Sequence, residues 1–323
     1  MKRKQKWLML SALLVITCLM AGCLPVAWVS SYADADKYKV GNFTYSADEV
    51  DSVYVHWYTG EVEFVQSNNK TLKVYESGET LVEAAKLHWY LNDGELCIEF
   101  CQAEYTEPIA SGDKHLVVEL PAGIDLVVND AGADVTLGAH TLDEVAIYSI
   151  SGRISVESLK AEKADIGTIS GRLRLGEVIA QKRIRFVSTS GSIDVESMTA
   201  KEFEISSVSG SVTVNSLDSA QKLAIESTSA AVTINTLVAN QVEITSVSGA
   251  VKLGLNRCKK LDVETNSGAV DITLDGGLGA TIEGIPSKNG IKKVYTTSNG
   301  KYVIGNGAAQ IKIETAGGAV TIQ

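Results

Sequence analysis

Aromatic residues make up only 6% of this chain, and proline and histidine occur 4 times each in 323 residues. A chain so poor in large rings, and dominated after about residue 115 by Val, Ile, Ser and Thr, fits narrow β coils better than helices. The scarce histidines, His56, His88, His115 and His140, show no His-x3-His spacing of the kind that holds zinc. Cysteine is almost as rare: of 5, Cys18 and Cys23 lie in the apolar N-terminus, leaving Cys97, Cys101 and Cys258. Cys97 and Cys101 stand an even number of residues apart on a predicted strand over 95–100 and just beyond, so they project to one face and do not readily meet. Small buried thiols, and neither a disulfide nor a metal site, are the expectation. No phosphate loop occurs, Gly305-Asn306-Gly307 reads as a turn, and no cofactor is expected.

What the N-terminus does have is an export signal. Lys2, Arg3, Lys4 and Lys6 precede an uncharged apolar run over 7–22. That run ends in Leu19-Met20-Ala21-Gly22-Cys23, which resembles the lipobox of bacterial lipoproteins, with Met20 where Leu is usual; the resemblance makes Cys23 the lipid attachment residue. Two alternatives stay open. Residues 7–29 are long enough to span a bilayer as an uncleaved anchor, and Ala33-Asp34-Ala35 fits an ordinary cleavage site that would release the body. The basic N-terminus places the body outside in all three cases. The expectation is an extracytoplasmic protein on the outer face of the cell membrane, with 23–36 as linker. Loss of 1–22 removes four basic and no acidic residues, moving the formal charge from −10 to −14. Such a surface repels nucleic acid and anionic lipid.

The body is organised by a repeat. Ser-Gly or Ser-Ala recurs at Ser151-Gly152, Ser170-Gly171, Ser190-Gly191, Ser209-Gly210, Ser229-Ala230, Ser248-Gly249 and Ser267-Gly268, the second members 19, 20, 19, 20, 19 and 19 residues apart. With that Gly or Ala as position zero, position +2 holds Ile154, Leu173, Ile193, Val212, Val232, Val251 and Val270. Position +4 holds Val156, Leu175, Val195, Val214, Ile234, Leu253 and Ile272, and position −5 holds Ile147, Ile166, Phe186, Ile205, Ile225, Ile244 and Val263. No polar residue interrupts these columns, and +2 and +4 are one strand period apart. A unit of 19 or 20 residues is too short for a βαβ crossover, which needs about 30. Stacked coils about 4.8 Å apart remain, each completing its neighbour's core and backbone ladder. The fold class is therefore all-β, a parallel β-solenoid over 37–323, with regular coils at about 128–275 and irregular capping coils at both ends.

The polar columns carry further expectations. Position −3 is Ser or Thr from Ser149 to Thr265, and position −1 is Ser throughout. Strand parity turns both inward, where small hydroxyls would pass hydrogen bonds from coil to coil, while Gly at zero relieves a tight bend and Ala230 bends its coil less sharply. Position −2 points outward and forms a β-branched stripe of Ile150, Ile169, Thr189, Val208, Thr228 and Val247. Val55, Trp57, Thr59, Gly60, Val62 and Phe64 repeat the pattern near the N-terminus, as do Ile313, Thr315, Gly317, Gly318, Val320 and Ile322 at the other end. Between lie irregular stretches, where Tyr58, Trp89, Tyr90, Tyr105, Tyr295 and Tyr302 gather, suited to covering exposed coil ends.

These features resemble a family. The Ser-Gly-x-Val-x-Val unit, the opening Val53-Tyr54-Val55-His56-Trp57 with Gly60-Glu61-Val62-Glu63-Phe64, and the closing Gly300-Lys301-Tyr302-Val303-Ile304-Gly305-Asn306-Gly307 with Ala319-Val320-Thr321-Ile322 are similar to the β-strand-repeat domain of unknown function labelled "putative adhesin". The resemblance implies a right-handed single-stranded β-helix in surface proteins of Gram-positive bacteria, and no catalytic residue.

Cleavage of polysaccharide would need carboxylates paired at about 5 to 9.5 Å. The nearest candidates, Asp194 with Glu196, or Asp271 on a later coil, stand among Ser, Thr and Asn and read as a solvated face. Arg153, Arg172 and Arg174, at outward positions +1 and +3, form a basic cluster with Lys182, Arg183 and Arg185 on an otherwise acidic protein. They are the candidate partner-binding patch, suited to an anionic wall or host glycan or to another envelope protein. The function expected is non-enzymatic adhesion at the cell surface; an accessory role in envelope-stress sensing is the alternative, and a polysaccharide-active enzyme stands third.

Overall fold

The computed structural model describes residues 31–78, 81–109, 114–275, 277–284, 296–298 and 301–323. The signal segment, Cys23 and Tyr295 lie outside the described residues. The chain forms two compact units that divide between Arg153 and Ile154.

The C-terminal unit is a parallel β-solenoid. Six long strands, Ile154–Thr168, Leu173–Ser188, Ile193–Ser207, Val212–Ser227, Val232–Ser246 and Val251–Thr265, each pair in parallel with the next. Their register is the one the repeat predicts. Ile154 faces Leu173, then Ile193, Val212, Val232, Val251 and Val270, and Ile166 faces Phe186, Ile205, Ile225, Ile244 and Val263. All of these side chains are buried, each stabilising the stack by roughly 1.5–3 kcal/mol. A fourth inward column, at −7, completes the core with Ala164, Ile184, Phe203, Leu223, Val242 and Leu261. The alternation of 19 and 20 residues has a local cause. The extra residue of the longer coils is absorbed where the pairing slips, between Ile179 and Arg183 and between Asp218 and Lys222, so the core columns stay aligned.

At the corner the two hydroxyl columns differ from expectation. In this unit the −3 hydroxyls are buried, but they bond within their own coil: Ser188 donates to Gly191 O at 2.5 Å, Ser207 to Gly210 O at 2.5 Å and Ser246 to Gly249 O at 2.9 Å. The threonines act in the opposite sense, Thr168 accepting from the Gly171 amide at 2.8 Å and Thr265 from Gly268 at 2.9 Å. A buried hydroxyl without such a partner would cost about 2–7 kcal/mol. The −1 serines are exposed, because the strand ends at −3 and its parity ends with it. They are the residues that join coil to coil. Ser190 and Ser209 each donate both N–H and hydroxyl to the −2 carbonyl of the preceding coil, at 2.7 and 3.1 Å for Ser190 and 2.8 and 3.1 Å for Ser209.

Corner glycine also has a different reason from the one expected. None of Gly152, Gly191, Gly210, Gly249 and Gly268 has a positive φ. A β-carbon on Gly191 would instead sit 1.7 Å from Gly171 O, and one on Gly210 1.9 Å from Gly191 O. At these glycines the coils lie too close to admit a side chain. Ala230 is the exception, its methyl group buried at the corner, while Ser227 still donates to Ala230 O at 2.7 Å and a β-carbon on Gly249 would meet Ala230 O at 1.9 Å.

The order of coils departs from chain order at this unit's end. Ala309–Thr315 pairs with Val251–Thr265 on one side and Ala280–Glu283 on the other, and Val320–Ile322 pairs with Val270–Leu274. The last coil in sequence is thus inserted beneath a segment that precedes it. Lys301–Ile304 and Thr296–Ser298 then continue from Ala280–Glu283 as antiparallel strands.

The N-terminal unit repeats the device. Ser52–Trp57 lies between Asp125–Asp130 and Glu95–Glu99, and Glu61–Gln66 between Asp134–Thr141 and His115–Leu120, all parallel. The outermost parallel coil is covered by antiparallel strands, His88–Asn92 and Lys39–Val40 on one side, Thr71–Ser77 and Phe43–Ser46 on the other. Here the corner is filled differently. Trp57 and Phe100 occupy the −3 column, their rings 5.0 Å apart, and the Lys114 ammonium lies 4.1 Å from the Phe100 ring. Lys114 donates to Ala85 O at 2.6 Å and to Phe100 O, and pairs with Glu76 at 2.8 Å; burial lowers its pKa.

Close packing at the corner predicts that Gly191→Ala lowers stability by about 1–3 kcal/mol, the usual effect of overpacking. Gly277→Ala, with open space around it, should leave stability unchanged. Denaturant midpoints of the two variants measure the difference.

Candidate binding surface

Outward positions of the C-terminal unit carry charges that the stacking brings into pairs. Arg183 lies 3.1 Å from Asp165 and Arg185 3.3 Å from Glu204, Lys182 pairs with Glu162, and Lys222 lies 2.6 Å from Glu243. Burial raises the Asp165 pKa, and the neighbouring Arg183 and Arg185 charges oppose that rise. The exposed pairs, Lys182 with Glu162 and Lys222 with Glu243, contribute about 0–1 kcal/mol each.

The predicted patch is less basic than its sequence suggests. In the C-terminal unit, Arg172 is clamped by Asp194, with Nε and Nη2 both 2.9 Å from Oδ2. Arg174 is exposed and lies in register with Asp194. In the N-terminal unit, Arg153 is 3.9 Å from Asp134. Two of the three acids considered for catalysis are similarly engaged: Asp194 holds Arg172, and Glu196 accepts from the Asn215 amide at 2.9 Å, whereas Asp271 Oδ1 is buried without a hydrogen-bond partner among the described residues. Among the described residues no cluster of three His, Cys, Asp or Glu could hold a metal ion.

A second surface feature is the corner ridge. Ser190, Ser209, Ser229, Ser248 and Ser267 are exposed in successive coils, beside Thr189, Val208, Thr228 and Val247, with both valines 48% exposed. The ridge repeats hydroxyl and β-branched groups at the coil spacing of about 4.8 Å.

In the N-terminal unit several titratable groups are buried. His56 Nδ1 lies 2.7 Å from Glu99 Oε1; burial pulls its pKa down, but the Glu99 hydrogen bond and charge together raise it. Burial pushes the Cys97, Cys101 and Cys258 thiols up to about 11, and all three are free, as the sequence leads one to expect. Asp130 takes the −3 place that Ser149 holds in the next coil. Its carboxylate accepts from the Ser149 hydroxyl at 2.6 Å and from the Ala133 and Gly132 amides at 2.9 and 3.2 Å, yet burial still pushes its pKa up to about 6.

Residues 170–323 match the family profile Toastrack DUF4097, so the resemblance seen in the repeats holds over that segment. Among solved structures, a "putative adhesin" from Parabacteroides merdae is 13% identical, with 89% of this chain and 96% of that one covered at a TM-score of 0.44. A "putative cell adhesion protein" from Clostridium sporogenes is 12% identical, with coverage of 88% and 99% and a TM-score of 0.21. A "putative lipid binding protein" from Parabacteroides distasonis is 12% identical, with coverage of 88% and 97% and a TM-score of 0.33. No curated protein matches the chain.

The Asp130 environment sets a pH dependence. Its pKa is higher folded than unfolded, so the folded chain binds a proton more readily and stability rises as pH falls from about 6 toward 4. Asp130→Asn should keep an acceptor for the two amides, be no less stable than the parent at pH 7, and flatten this part of the stability–pH curve. The difference between the two curves, about 2–3 kcal/mol across that window, measures the effect.

Proposed function

We propose that this chain is a non-enzymatic surface protein of the cell envelope, whose solenoid presents a repeated outward face to a polymer or to an envelope partner. The observation that carries the reading is repetition: the exposed residues recur in register, coil after coil, as a linear polymer repeats. A face of this kind suits many weak contacts in series, where linkage multiplies modest affinities. Asp194 and Glu196, two of the acids considered for catalysis, are already held by Arg172 and Asn215. The N-terminal lipobox-like motif supports attachment at the outer face of the membrane through Cys23. Among the described residues no helix is long and apolar enough to cross a membrane. The contact residues proposed are Arg153, Arg172 and Arg174, of which Arg172 and Arg153 must exchange an acid partner for the ligand.

Purified cell wall tests the reading. Changing Arg153, Arg172 and Arg174 together to Glu should reduce retention at least about tenfold, or 1.4 kcal/mol. Retention unchanged by the triple variant removes this patch. Incorporation of labelled fatty acid should be lost in Cys23→Ser; incorporation that survives the change rules out lipidation at that residue.

A further inference from the structure

In a chain with so few aromatic residues, the end face formed by the outermost strands of the N-terminal unit gathers them, Phe43 and Tyr45 with Trp89 on one side of the strands and Tyr38 with Tyr90 on the other. Lys39–Val40 pairs antiparallel with His88 and Trp89, which places Lys39 opposite Trp89. Phe43 packs on Trp89 at 4.2 Å between ring centroids, Tyr45 meets the same indole edge-on at 5.6 Å, and Tyr38 stands 5.5 Å from Tyr90. The Lys39 ammonium sits 4.9 Å from the Trp89 ring, and the Trp89 N–H donates to Gly41 O at 3.0 Å. Trp89 is thus a buried keel. Around it Tyr38, Phe43, Tyr45 and Tyr90 remain half-exposed, and Val40 is 40% exposed.

Amphipathic rings beside lysines are the side chains enriched where protein meets the headgroup layer of a bilayer, because their apolar bodies leave water while their polar tips stay wet. Charge also singles out this face. The body as a whole is strongly acidic and is repelled by anionic lipid. Here Lys37 lies 3.0 Å from Asp34, and Lys37 and Lys39 balance Asp34 and Asp36. The chain leading here fixes the neighbour. Cys23, the proposed attachment residue, stands 15 residues before Tyr38, a reach of at most about 50 Å when fully extended. A tether of that length holds the face near the membrane at an effective concentration on the order of millimolar, so even weak affinity suffices.

We propose that the face made by Tyr38, Lys39, Val40, Phe43, Tyr45 and Tyr90 docks in the headgroup layer of the membrane to which the chain is attached. The proposal rests on the anchored reading given above. Docking fixes the orientation of the N-terminal unit on its tether. Driven by apolar contact with balanced charge, it works on zwitterionic lipid and is insensitive to salt.

The full chain, incorporated into vesicles of phosphatidylcholine carrying a photoactivatable headgroup, tests both claims separately. Flotation with the vesicles reports attachment, and the positions of lipid crosslinks report docking. The expected result is flotation, with crosslinks concentrated within 38–45 and at Tyr90, unchanged by salt or by added phosphatidylglycerol. Val40→Asp, an exposed position on a two-residue edge strand, should lower those crosslinks about tenfold, the equivalent of one valine's burial, with flotation unchanged. Flotation with crosslinks spread over other faces, absent, dependent on phosphatidylglycerol, or indifferent to Val40→Asp overturns docking and leaves attachment standing. Failure to float overturns attachment, and docking with it.

Discussion

A single coil of this solenoid cannot satisfy its own backbone. Each N–H and C=O points along the stack and finds its partner only when another coil lies above or below, as when Leu173 donates to Ser192 O and Ile193 to Ser211 O, each at 2.8 Å. Because the bonds run between equivalent positions, like residues stack on like, and each column carries one kind of side chain. The apolar columns bury themselves, and the corner column is glycine except at Ala230, because at the glycines the carbonyl of the adjacent coil already occupies the space a side chain would need. The outward columns then inherit the same periodicity, which is the property a repetitive ligand can use.

The same constraint makes the ends the difficult part. A terminal coil would present a row of unpaired groups open to further strand addition. Both units meet this by bringing the chain out to the end and back. The coil nearest the terminus in sequence is sandwiched one layer in, and the outermost parallel coil is closed by antiparallel strands. At the N-terminal end the hydroxyl corner is replaced by Trp57, Phe100 and a buried lysine that fills the gap with its ammonium against the rings and carbonyls. The Lys114–Glu76 pair is costly to desolvate, and removing either partner would leave an uncompensated buried charge.

Much of this was legible in the residues. The columns at −5, +2 and +4 predict the observed register, because a period near 19 with no polar interruption admits one alignment. The −7 column escaped notice since it mixes Ala164, Phe203 and Leu223, whose sizes vary while their burial does not. Strand parity places the −1 serines inward beside the −3 hydroxyls, yet they are exposed, because the strand ends at −3 and its parity ends there. The coil order at the termini left no local trace: Ile313 and Val320 fit the repeat wherever their coil is inserted. The basic cluster was readable, but its partners were not, since Asp194 reaches Arg172 only through stacking of residues 22 apart.

The proposed contact face exists only if equivalent residues lie one above another. In-register stacking with the final coil inserted places Lys252, Asp271 and Thr321 in one outward column. Nitroxide labels at these three positions in a cysteine-free background should therefore lie about 4.8 Å apart in succession. The account predicts a spectrum collapsed by spin exchange, including between Asp271 and Thr321 alone; a spectrum equal to the sum of the singly labelled proteins would contradict it.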